Sequence, residues 1–166
     1  RFSISGEELV TLERELELID RYLDIQLIRF EDRFTCEIDA ADRLQSCLVP
    51  KLALQPLVEN AIIHGVADRD DGYINTTHLN EGDDLVLRVS DNGCGMAPEV
   101  LARLNSDDKR IPGGHLGLYN TDSIIRLRFG AAYGLTARSA PGEGSCVSLR
   151  MPIQREEAGD AEGADR

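Results

Sequence analysis

Tryptophan is missing from these 166 residues, and aromatic side chains make up only 5% of them. The interior must therefore be built from aliphatic side chains. No run approaches the about 18 consecutive apolar residues that a membrane-crossing helix needs, so no such span is predicted within this piece. Positive charge is also scarce. Eighteen Lys and Arg stand against 30 Asp and Glu, a formal net charge of −12. Such a field repels a polyphosphate backbone and argues against a nucleic-acid binder. The four cysteines, Cys36, Cys47, Cys94 and Cys146, include no C-x-x-C pair and no histidine at a partnering interval. Free thiols are expected, and neither a metal cluster nor a disulfide framework. The chain opens at Arg1 without a signal-peptide pattern, and it is expected to be a piece of a longer protein.

What is present suffices for one domain with a single core, since 42% of residues are hydrophobic. From about Glu7 to Phe30, Leu9, Leu12, Leu16, Ile19, Leu23 and Phe30 recur at three- and four-residue spacing, which predicts a long amphipathic helix. Ser5 with Glu8 three residues later has the form of a capping box. Such a helix suits packing on its own domain, and equally a lead-in from an upstream stem. A strand is predicted over 33–39. Pro50 and Pro56 bracket the entry to a helix that runs to His64 and stops at Gly65. Strands over 72–79 and 84–90 flank the turn Asn80-Glu81-Gly82-Asp83, and a short helix covers 98–104. After a polar loop over 105–114, a helix is predicted from Leu116 to Phe129, stopped by Gly130, and then strands over 133–139 and 145–152. The fold class is α+β: a two-layer sandwich of one mixed sheet with helices on one face. Residues 155–166 hold almost no apolar side chain and predict a disordered acidic tail.

Four polar or glycine-rich segments punctuate this framework. In Glu59-Asn60-Ala61-Ile62-Ile63-His64-Gly65, Asn60 and His64 are four apart and share a helix face. The Asn60 amide oxygen is a hard neutral ligand suited to Mg²⁺, and His64 can donate to phosphate. A helix end meeting solvent would read the same way. In Asp91-Asn92-Gly93-Cys94-Gly95, a carboxylate at a strand end can accept from an exocyclic amine such as that of adenine. Gly93 and Gly95 let the backbone approach a flat ring. Such a string is also common in ordinary turns. Gly113-Gly114-His115-Leu116-Gly117-Leu118 sets glycines before a helix N-terminus that favours anions, with Lys109 and Arg110 just upstream in a loop able to fold over a triphosphate. In Gly142-Glu143-Gly144-Ser145, the Ser145 hydroxyl could bond Asp91 or a water beside it.

Taken together, Tyr22-Leu23-Asp24-Ile25-Gln26, Val49-Pro50 and Leu54-Gln55-Pro56-Leu57-Val58-Glu59-Asn60-Ala61 resemble the cytoplasmic end of LytS-type sensor histidine kinases. The resemblance covers residues 1–152. It implies the Bergerat ATP-binding fold, with Asn60 on Mg²⁺, Asp91 on adenine and residues 97–116 as a mobile lid. The nucleotide contacts it implies are Asn60, His64, Asp91, Gly93, Gly95 and Met96. Lys109, Arg110, Gly114, Leu116, Gly117, Leu118 and Ser145 complete them. Asn60 and His64 are the catalytic candidates, and ATP and Mg²⁺ the ligands. The same resemblance implies an N-terminal linker helix over 1–32, a catalytic domain over 33–153 and a tail over 154–166. It also implies a homodimer formed through upstream helices, a response-regulator partner and a place on the cytoplasmic side of a bacterial inner membrane.

Three positions depart from the family pattern. Pro56 stands where related ATP-hydrolysing enzymes carry a water-activating Glu, Ile63 where many relatives have Lys, and His115 where Gly is usual. None of His64, His78 and His115 lies in an H-F-x-x-N-type acceptor motif, so the phosphorylated histidine is expected upstream of Arg1. A degenerate module that senses nucleotide without transferring phosphate remains the alternative.

Overall fold

The structure is a computed structural model and describes residues 8–109 and 115–156. In chain order its elements are β1 (Leu9–Thr11), α1 (Leu12–Arg29), β2 (Phe34–Ala40), β3 (Leu48–Pro50), α2 (Gln55–Asn60), β4 (Gly72–Glu81), β5 (Asp84–Asp91), α3 (Pro98–Leu104), α4 (Leu116–Phe129), β6 (Gly134–Ser139) and β7 (Ser145–Pro152). A 3₁₀ turn at Asp42–Leu44 precedes β3, and α2 continues as a π-helix over Ala61–Val66. Five strands form one sheet in the order β2-β4-β5-β7-β6, parallel between β2 and β4 and antiparallel elsewhere. This is the predicted α+β architecture of a mixed sheet covered by helices.

The helix start is corrected. Leu9-Val10-Thr11 lies extended and pairs antiparallel with Leu48-Val49-Pro50, because two short β-rich segments satisfy each other across the chain. Thr11 is the true N-cap, its hydroxyl accepting from the Arg14 N–H at 3.3 Å. The capping box starting at Ser5 falls outside the described residues. From Leu12 on, the predicted stripe holds: Leu12, Leu16, Ile19 and Leu23 are buried in the common core. Glu15 is buried with them. Its carboxylate accepts from the Leu52 N–H at 2.7 Å, where the backbone has φ +63°, and so ties α1 to the loop before α2. Burial raises the Glu15 pKa, and the backbone N–H groups of Leu52 and Leu54 partly offset that.

The edge strand β6 is closed by side chains rather than by another strand. Asn105 both donates to the Ala137 carbonyl and accepts from the Ala137 N–H, each at 2.8 Å. Asp122 accepts from the Leu135 N–H at 2.8 Å, and Lys109 donates to the Leu135 carbonyl. An open ladder is thereby blocked against further pairing.

His78 of β4 lies 3% exposed, with both ring nitrogens unpartnered. Burial depresses its pKa from 6.5 to about 4, and the nearby Asp39 backbone offsets little of this. A folded-state pKa below the unfolded value means that the unfolded chain binds the extra proton. Stability therefore falls as pH drops from about 6.5 towards 4 and is unaffected above that window. Urea titration should show His78 removing roughly 2–3 kcal/mol between pH 7.5 and 4.5. In His78→Leu that part of the slope should vanish; an unchanged slope would place the acid sensitivity elsewhere.

Candidate functional site

Helix α2 does not stop at Gly65. The chain keeps winding through Val66, and the wider π turn carries His64 and Gly65 up to the end of β5. The glycine serves proximity rather than termination. A Cβ on Gly65 would lie 2.8 Å from the Asp91 carboxylate, and one on Gly93 would sit 2.1 Å from the Gly65 carbonyl. The Gly93 N–H donates to Asp91 Oδ1 at 2.8 Å. Across the β5–β7 ladder, Asp91 pairs with Ser145, whose backbone N–H also reaches the carboxylate. The Ser145 hydroxyl bonds Ser139 at 3.0 Å instead, so serine approaches Asp91 through its main chain.

Two adjoining cavities occupy the space between the π-helix, the turn after β5, and the start of α4. The smaller, about 200 Å³, is lined by Asp91, Gly95, Met96, Val100, Ser145 and the shared trio Asn60, His64 and His115. The larger, about 360 Å³, is lined by Pro56, Glu59, Ile63, Gly117 and Leu118 with the same trio. Asn60 and Asp91 thus face one cavity, as their predicted roles require. The smaller space joins a carboxylate acceptor to the apolar walls of Met96 and Val100, a combination that suits a flat heterocycle with an amine edge. Burial raises the pKa of Asp91, and its two backbone donors partly offset that. The larger cavity meets the first turn of α4, where N–H groups have no intrahelical acceptor.

Asn60 is 6% exposed, and its Oδ1 lies 3.1 Å from His115 Nδ1. The His115 ring in turn packs on His64, with centroids 4.4 Å apart and planes tilted by 32°. Burial, and then the neighbouring His64, lower the His115 pKa. Neither Lys nor Arg lines either cavity among the described residues, so imidazoles and backbone N–H groups are the local donors. Among those residues no three His, Cys, Asp or Glu side chains gather to hold a metal ion. Asn60 Oδ1 is a buried neutral oxygen shared by both cavities. That fits Mg²⁺, which keeps most of its shell for phosphate and water.

The sequence-derived candidates divide accordingly. Asn60, His64, Asp91, Gly95, Met96, Gly117, Leu118 and Ser145 line the cavities, and Gly93 braces Asp91. Lys109 is a correction. Its ammonium is buried, 2.9 Å from Asp122 Oδ1, because an apolar stem and a matched carboxylate make the interior of the β6 edge its better position. Leu116 is 66% exposed and lines neither cavity. Arg110 and Gly114 lie outside the described residues. Sequence reasoning missed His115, Val100 and Glu59 as lining groups. The departure from Gly at 115 was the available signal for the first. Cys94 lines the smaller cavity, and all four cysteines are free thiols.

The family described as "Histidine kinase-, DNA gyrase B-, and HSP90-like ATPase" matches residues 49–155, and that described as "Histidine kinase" matches residues 1–34. Sensor histidine kinase YesM of Bacillus subtilis is 32% identical over 151 residues, 90% of this chain and 25% of its own length. Sensor histidine kinase BtsS of Escherichia coli is 34% identical over 150 residues, with the same two shares of 90% and 25%. Sensor protein LytS of Bacillus subtilis is 30% identical over 156 residues, 92% of this chain and 26% of its own. The chain thus spans about a quarter of the length of these relatives. Among solved structures, the nucleotide-free catalytic domain of histidine kinase ThkA superposes with a TM-score of 0.66 at 15% identity, covering 87% of this chain and 94% of that one.

Proposed function

This chain belongs to the family of histidine kinase-, DNA gyrase B- and HSP90-like ATPases, and from that premise we propose that it is the ATP-binding catalytic domain of a sensor histidine kinase. One observation carries the reading: Asp91 and Asn60 line the same cavity, with the N-terminus of α4 beside it. In the proposed complex the Asp91 carboxylate accepts from the adenine amine while Met96 and Val100 cover the ring. His64 and the N–H groups at the start of α4 donate to phosphate oxygens. Asn60 Oδ1 is the atom that would hold Mg²⁺, which when bound offsets phosphate charge that no described Lys or Arg lining the cavities offsets. The γ-phosphoryl then passes to a histidine outside this chain: an N–P bond forms, the P–O bond to ADP breaks, and a response-regulator Asp is the next acceptor. Residues 1–32 read as the link to that upstream helix and to a homodimer stem, 33–153 as the catalytic domain and 154–166 as a tail, whose first residues Gln154 and Arg155 are not disordered as predicted but bridge to Leu48 and Cys47. By analogy with the relatives, the whole protein is a bacterial membrane receptor and this part faces the cytoplasm. No described helix is itself long and apolar enough to cross a membrane.

Calorimetry with ADP should detect binding that is at least about tenfold tighter with Mg²⁺ than with a chelator, in line with a charge-assisted contact. Asn60→Ala should abolish the difference while leaving chelator-condition binding in place. No heat at millimolar nucleotide would end the reading. Because His115 already occupies the Asn60 oxygen, a nucleotide-sensing module without phosphotransfer is the second reading. An acceptor helix supplied with the chain and γ-labelled ATP separates the two: label on the helix histidine rejects the second.

A further inference from the structure

We propose that His115 is a bar across the nucleotide trough, closed by its contacts with Asn60 and His64 and displaced by the phosphates. The inference rests on the nucleotide reading above and adds a determinant of its affinity. Three observations carry it. First, the 200 Å³ and 360 Å³ cavities share Asn60, His64 and His115, so these side chains form the partition between the spaces flanking them. Second, the partition is bonded shut: His115 Nδ1 lies 3.1 Å from Asn60 Oδ1, and its ring packs 4.4 Å from that of His64. For the amide oxygen to accept, the ring must carry its proton on Nδ1. Third, His115 is the residue just before α4 and makes no side-chain cap on that helix, so swinging its ring outward leaves the helix hydrogen bonds intact.

A ligand confined to the Asp91 cavity can enter without disturbing the bar. A ligand with phosphates cannot, because its chain must run past Asn60 towards the first turn of α4. Closing the bar therefore lowers apparent affinity for phosphorylated ligands by the fraction of chains that are closed. One hydrogen bond with a ring contact corresponds to about a three- to tenfold effect.

The test compares the unmodified chain with His115→Ala, using adenosine, ADP and ATP with Mg²⁺ in calorimetry. The expected result is about three- to tenfold tighter binding of ADP and ATP by the variant, with adenosine unchanged. Equal or weaker ADP binding would overturn the bar while leaving the nucleotide reading intact. A parallel gain for adenosine would also overturn it, since that reports general loosening. Absence of ADP binding by the unmodified chain would instead remove the nucleotide reading, and the bar with it. A second readout needs no variant. In the unmodified chain, ¹⁵N imidazole spectra should show the Nδ1–H tautomer of His115. That signal should shift with MgADP and stay put with adenosine; a signal indifferent to MgADP overturns the proposal.

Discussion

Asp91→Asn should weaken nucleotide binding by about 100-fold or more. Asp91 Oδ1 accepts from the Gly93 N–H at 2.8 Å, and the Ser145 N–H reaches the same carboxylate. A carboxylate has lone pairs left over for an exocyclic amine; an amide has a single oxygen. If that oxygen serves Gly93, the NH₂ group faces both the Ser145 N–H and the incoming amine, donor against donor. Each unmet buried donor costs about 1–3 kcal/mol, and on binding both the incoming amine and the Asn NH₂ that it displaces from water lose an acceptor, which accounts for about two decades in Kd. The site tolerates no bulk by way of repair, because Gly65 already crowds the side chain. Calorimetric titration with ADP measures the loss, and circular dichroism of the unliganded variant checks the fold. A Kd within tenfold of the parent would mean that the base is held elsewhere.

The second large effect concerns stability, far from the pocket. Lys109→Ala should destabilise the chain by about 3–5 kcal/mol, since it strands the buried Asp122 carboxylate without its counter-charge. The loss extends beyond the pair, because Lys109 and Asp122 together satisfy the carbonyl and N–H of Leu135 on β6. Lys109→Met combined with Asp122→Leu should recover part of the deficit, as apolar replacements remove both charges at once. Urea unfolding of the two variants and the parent decides the matter. A Lys109→Ala chain as stable as the parent would show that the ammonium is not buried in solution.

That lysine also marks where sequence reasoning reached its limit. Lys109 beside Arg110 reads locally as a basic pair in a polar loop, and nothing within a few residues reveals a carboxylate 13 positions on. Segments whose pattern is local fared better: α3 and α4 occupy Pro98–Leu104 and Leu116–Phe129 as predicted from Pro98 and Gly130. The start of α1 was misplaced because Leu9–Thr11 fits the helical stripe, while its partner β3 lies in the distant segment Leu48–Pro50. Asn60 and Asp91 could be found from residue chemistry and motif spacing. The contact between His115 and Asn60 could not, being a meeting of side chains 55 residues apart.

Finally, the π-helical stretch over Ala61–Val66 makes the pocket sensitive to chain length rather than to composition alone. Removing any one of those six residues would let the segment tighten into an ordinary α-helical coil, replacing a wide turn by a narrower one and drawing in the backbone that carries His64 and Gly65. The shortened helix would be the more regular, yet Gly65 would no longer meet the turn after β5. Single-residue indels here should therefore be silent in helix content and ruinous for ligand uptake.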